Sequence, residues 1–150
     1  NSLRMADNSG LQYRVGMLSD VHLHTQNSYY SDSFTDFDNA LRFFNAANVA
    51  FTCTCGDITE NGIEAEFARY QEIVAANPAS PVYTTTGNHD ATQSGINEAI
   101  WKQYTGYGLV YEVSKTVNGQ TDHFQTARPT STSSWECLPG TLQRLTLQQT

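Results

Sequence analysis

The sequence predicts an α/β fold in the order β-α-β-α-β-α, followed by a β-hairpin. Three observations predict it. Three short runs, residues 13–19, 49–55 and 81–86, are rich in β-branched, aromatic and small side chains and read as strands. The segments between them carry apolar residues three and four apart, the spacing that lines one face of a helix. Beyond them, Asn118-Gly119 divides two further strand-like runs, the strongest short signal for a hairpin turn. Strands alternating with helices in this way form a parallel sheet with right-handed crossovers.

The elements follow in order. Residues 1–10 are a polar lead-in with no initiating Met and no apolar signal-peptide core. The first strand, residues 13–19, runs into a long polar loop over 20–33. A helix then begins near Thr35 or Asp36, with Phe34, Phe37, Leu41 and Phe44 on one face and Ser33 or Thr35 as N-cap. The second strand, 49–55, is apolar and small, which suits a parallel strand covered on both faces. Its Cys53 and Cys55 share a face and read as core packing, although a C-x-C pair can also bind metal or oxidise. Asn61 followed by Glu64 has the spacing of a capping arrangement for the second helix, whose stripe is Ile63, Phe67, Tyr70 and Ile73 or Val74. Asn77-Pro78 ends that helix. After the third strand comes a third helix over 96–104, with Trp101, Tyr104 and Tyr107 packing it and its exit. The hairpin strands are expected over 109–116 and 121–125. From Thr126 the pattern stops. Residues 128–150 are rich in Thr, Ser, Gln and Leu, with Glu136 the one acidic residue. The expected division is therefore a domain over 11–125 and an atypical tail over 126–150, poorly ordered through truncation or read out of frame.

At 150 residues the chain is one domain's worth. No apolar run approaches the ~20 residues that cross a bilayer. A net charge of −7 disfavours nonspecific nucleic-acid binding, which needs Lys and Arg against phosphates. It leaves room for a phosphorylated substrate when bound cations supply positive charge locally. Three cysteines at these positions give no disulfide framework. No phosphate-binding G-x-x-x-x-G-K-[ST] loop occurs.

The chemistry is concentrated where the strands end. The first runs into Asp20-Val21-His22, the second into Gly56-Asp57, and the third into Gly87-Asn88-His89-Asp90. In open α/β sheets ligands bind at the carboxyl ends of the strands. Carboxylate, imidazole and amide oxygen suit hard and borderline cations, so Asp20, His22, Asp57 and Asn88 are the candidate metal ligands. The plain reading is that Asp20, Asp57 and Asn88 merely cap the elements that follow. Three such ends on one sheet favour the metal reading.

In order, strand context and spacing, these residues resemble the first three motifs of the calcineurin-like metallophosphoesterase superfamily: D-x-H, GD and GNH[DE]. The resemblance implies a double β-sandwich flanked by helices, present here in part. It implies hydrolysis of a phosphoester by a dinuclear site with two divalent or trivalent ions, such as Mn, Fe or Zn. Asp20 and His22 would bind the first ion, Asp57 would bridge, and Asn88 would bind the second. His89 would stabilise the transition state or protonate the leaving group, and Asp90 would orient His89. The family completes its site with a later His and a G-H-x-H motif. This chain has only His123 after His89 and no G-H-x-H. A non-catalytic phosphate- or partner-binding domain with a degenerate metal site is therefore the competing expectation. His24 reads as a loop or pocket residue, and His123 as an ordinary strand histidine. Glu60 reads either as an outer partner of the site or as a plain helix-start charge.

Overall fold

Three strands pair side by side in parallel: β1 (Val15–Leu18), β2 (Phe51–Cys55) and β3 (Val82–Thr85), in that order across the sheet. A computed structural model describes residues 13–25 and 32–126, and the backbone of Leu138–Gly140. Helices α1 (Ser33–Ala46) and α2 (Glu64–Ala76) make the two crossovers, and α3 (Glu98–Thr105) follows β3. Both crossover helices lie on one face. A β-carbon on Gly16 would meet the Phe44 ring of α1 and the Thr52 hydroxyl of β2, which places α1 on the Thr52 face. Val82, paired to Thr52, joins Tyr70 and Ile73 of α2 in the same core.

That core holds Leu23, Phe37, Leu41, Ile58, Phe67 and Trp101 as well. Burying each large side chain contributes about 1.5–3 kcal/mol, so α1, α2 and α3 are held by packing more than by helix propensity. The expected stripes are largely present: Phe37 and Leu41 on α1, and Phe67, Tyr70 and Ile73 on α2. No helix among the described residues is long and apolar enough to cross a membrane.

Two local expectations are corrected. Asp32, not Ser33 or Thr35, occupies the N-cap of α1 and makes no side-chain cap. Its φ of −94° and ψ of −4° are already helical, which turns its carboxylate away from the first free N–H groups. Ile63, not Asn61, precedes α2. The Asn61 backbone and amide N–H groups instead donate to Glu66, both at 2.9 Å, because that fully buried carboxylate needs donors. In β2, Thr52 and Thr54 are fully buried on the helix-covered face, and Cys53 and Cys55 are half-buried on the opposite one.

The other face receives the hairpin β4 (Glu112–Val117) and β5 (Gln120–Gln125). Asn118 and Gly119 form its two-residue turn with φ of 52° and 79°, the left-handed pair that a twisted hairpin requires. Phe51 stacks edge-on against Phe124 with centroids 4.9 Å apart, and Tyr13 donates to Asp122 at 2.6 Å. The Tyr111 hydroxyl accepts from Thr84 N at 2.7 Å and donates to Thr84 O at 2.6 Å, closing the outer edge of β3. β6 (Leu138–Gly140) adds antiparallel to β5, giving an antiparallel sheet beside the parallel one. This mixed α/β arrangement agrees with the partial fold that the resemblance implies. Apart from Thr126 and β6, the expected tail over 126–150 lies outside the described residues.

Candidate metal centre

Beyond β1 and β2 the chain stays paired without being strand. His22 N donates to Asp57 O, and Leu23 N to Ile58 O, both at 2.9 Å; Glu60 N returns to Leu23 O at 3.1 Å. Leu23 and Ile58 are fully buried and anchor this ladder in the core. Asp20, His22, Gly56 and Asp57 all have positive φ, between 48° and 81°. Left-handed backbone is costly for residues other than glycine, by roughly 1–2 kcal/mol, and concentrates where a site over-determines it. Here it turns three ligand-type side chains toward one another. The carboxylates of Asp20 and Asp57 and the imidazole of His22 each offer an atom within 4.8 Å of the others. His22 Nε2 lies 3.8 Å from Asp20 Oδ1, a separation that two ligands of one ion can have.

The third strand end closes against the second. His89 N donates to Asp57 Oδ1 at 2.8 Å, which fixes that carboxylate and ties the two loops together. Asn88 is exposed on the turn between buried Gly87 and His89. The His89 ring is pinned by Nδ1 to the Glu60 backbone oxygen at 2.9 Å. That bond, with the negative charges of Asp57, Glu60 and Asp90, holds the His89 pKa above the usual imidazole value, while burial pulls the other way.

Asp90 does not reach His89. Its buried carboxylate accepts from Gly87 N at 2.7 Å, Thr59 N at 2.9 Å and Thr59 Oγ1 at 2.8 Å. Burial still pushes the Asp90 pKa up, against the pull of those three donors. The expectation that Asp90 orients His89 directly is therefore corrected: Asp90 staples the turn that carries His89, and Glu60 holds the ring.

Glu60 is more involved than a helix-start charge. Its Oε2 lies 2.6 Å from His22 Nδ1 and 3.6 Å from His89 Nδ1. His24 stands apart, 3.6 Å from buried Glu66. His123 pairs with Glu112 across the hairpin at 2.7 Å and joins none of the ligand groups found among the described residues. Nothing in the sequence marks Thr59 or Glu66: Thr59 bonds Asp90, 31 residues on, and Glu66 takes one of its donors, Thr25 N, from 41 residues back.

The donor set fits a cation. Asp20, Asp57, Glu60 and Asp90 crowd one sheet edge, and among the described residues the salt bridges to Asp20 and Glu60 come from histidines alone. A cleft of about 580 Å³ opens beside Asp20 and His22, walled by Leu18, Phe37 and the start of α1.

Residues 13–148 match the family model of the calcineurin-like phosphoesterases. A comparison with curated proteins finds no match. With the match running over most of the chain, the protein belongs to the calcineurin-like phosphoesterase family.

Proposed function

We propose that the protein is a metal-dependent phosphoesterase whose site takes two divalent or trivalent ions of the Mn, Fe or Zn type. The observation that carries this reading is the convergence of Asp20, His22 and Asp57, with ligand atoms within 4.8 Å. Asp20 and His22 would hold the first ion. Asp57 would be common to both, with His89 N–H steadying its Oδ1, and Asn88 would serve the second. Bound ions would supply Lewis acidity toward phosphoryl oxygens and a lowered pKa for water.

The chain's own residues do the rest. His89, fixed through Nδ1 and raised in pKa, would hold a proton on Nε2 for the leaving oxygen. Asp90 and Thr59 keep that turn rigid.

Calorimetric titration with Mn²⁺ or Zn²⁺, followed by assay on an activated aryl phosphate monoester and diester, tests the proposal. Metal binding with metal-dependent hydrolysis, both lost in Asp57→Asn, is expected. Binding without hydrolysis would assign the chain to the non-catalytic alternative. Absence of metal binding would overturn the proposal and leave the non-catalytic domain with a degenerate metal site.

A further inference from the structure

Glu60 follows Asp57 by three residues and offers an oxygen to each of two histidines. Its side-chain Oε2 lies 2.6 Å from His22 Nδ1, and its backbone oxygen lies 2.9 Å from His89 Nδ1. A carboxylate and a carbonyl can only accept, so each Nδ1 is the donor and carries a proton. A neutral imidazole has one N–H, so in that form the lone pair of each ring is on Nε2. For His22 that atom faces Asp20. The two rings meet edge to face with centroids 4.7 Å apart, so their orientations are set together.

Glu60 is itself well held. Its N–H bonds to Leu23 O, inside the ladder that carries His22, and its side chain is only 19 % exposed. Direct ligation by Glu60 together with His22 Nδ1 fits the distance less well. Two ligands on one tetrahedral ion, each ~2.1 Å from it, stand about 3.4 Å apart. At 2.6 Å the pair is a hydrogen bond.

We propose that Glu60 is a positioning residue of the metal centre: its carboxylate fixes His22 in the Nδ1–H tautomer, aiming Nε2 at the ion, while its backbone carbonyl fixes His89 in the same tautomer. This deepens the metal-dependent reading above and rests on it for the role of the ion. It separates the two histidines, because a side-chain substitution removes the carboxylate and leaves the carbonyl. Loss of such an outer hydrogen bond typically weakens metal affinity ~10–100-fold.

The test is the imidazole ¹⁵N shifts of the metal-free protein at about pH 9, above the usual imidazole range. In the wild type His22 and His89 are both expected as Nδ1–H. Glu60→Ala should release His22 from that tautomer and leave His89 in it. Glu60→Gln, whose amide oxygen still accepts, should restore His22. Zinc titration should show the ~10–100-fold loss in Glu60→Ala and a smaller one in Glu60→Gln. In the zinc-loaded wild type, His22 should ligate through Nε2. An Nε2–H His22 in the wild type, a tautomer unmoved by Glu60→Ala, undiminished zinc affinity, or ligation through Nδ1 would each overturn the proposal. Should Glu60→Ala not fold, the wild-type tautomer decides. Should the wild type bind no zinc, the metal reading fails, while the tautomers still settle what Glu60 does.

Discussion

Gly87 lies so close to Asp57 that a β-carbon on it would fall 2.6 Å from Asp57 Cγ, and nearer still to Oδ1 and the backbone nitrogen. The glycine is required by space, since its φ is not in the left-handed region. Two of those three atoms belong to the group that the site most needs in place, and the third is backbone that cannot swing aside. Gly87→Ala is therefore expected to push the β3 exit away from Asp57 and break the His89 N to Asp57 Oδ1 bond. Overpacking of this kind costs about 1–3 kcal/mol. Urea denaturation measures it, and an unchanged midpoint would show that the loop yields freely.

Thr52 and Thr54 make a contrasting pair on the buried face of β2. Thr54 Oγ1 donates to Thr84 Oγ1 at 2.6 Å, whereas the buried Thr52 hydroxyl has no partner among the described residues. Valine keeps the shape of threonine and replaces only the hydroxyl, with a methyl group. Thr52→Val should thus stabilise the protein by up to about 1 kcal/mol, and Thr54→Val should destabilise it by a similar amount. Both variants destabilised alike would mean that Thr52 has a partner after all.

The pH dependence of stability should carry a mark of His89. Its pKa is raised in the folded protein by the Glu60 carbonyl and the surrounding carboxylates, so the folded state binds that proton more tightly than the unfolded chain. The resulting stability is fully present below the ordinary value of 6.5 and is lost as pH rises through the higher folded value. In His89→Gln this part of the decline should vanish. Urea midpoints of the metal-free protein from about pH 5 to 9 give the comparison, and parallel curves would rule the assignment out.

Much of this was legible in the sequence, and the limits are physical. Asn118-Gly119 gave away the hairpin because both positions need positive φ, and few dipeptides supply it. Asp20, His22 and Asp57 stood out because a strand end points its next residues outward at a shared edge. Glu60 stayed ambiguous because its partners, His22 and His89, are 38 and 29 residues away, and one of its two bonds uses backbone that carries no sequence signal. The family resemblance implied that Asp90 orients His89. The actual partner set, Gly87 and Thr59, follows from the turn's conformation, which the residue types alone do not specify. Glu66 was hidden as an ordinary helix charge, although its burial organises Asn61 and faces His24.

Asp57→Asn and Asp90→Asn should separate function from stability. Asp57 sits at a φ of 48°, a conformation asparagine adopts at least as readily as aspartate. The amide oxygen of asparagine can keep the 2.8 Å bond from His89 N. The substitution also removes one negative charge from the group formed by Asp20, Asp57, Glu60 and Asp90. The metal-free variant is therefore expected to be as stable as the wild type or more so. Metal binding is another matter, because Asp57 is the ligand proposed to serve both ions. A ligand that binds only the folded state stabilises it by RT ln(1 + [L]/Kd), ~2.7 kcal/mol at a hundredfold excess over Kd. Thermal midpoints with Mn²⁺ or Zn²⁺ should rise in the wild type and stay flat in Asp57→Asn. Asp90 has the opposite profile. Its carboxylate accepts three hydrogen bonds in a buried turn, and asparagine would set an N–H against at least one of those donors. Asp90→Asn should then lose about 1–3 kcal/mol without metal yet keep a metal-induced rise. An Asp57→Asn protein that still gains stability from metal would show that the ions are held elsewhere. An Asp57→Asn protein that is destabilised without metal would show that its charge supports the fold.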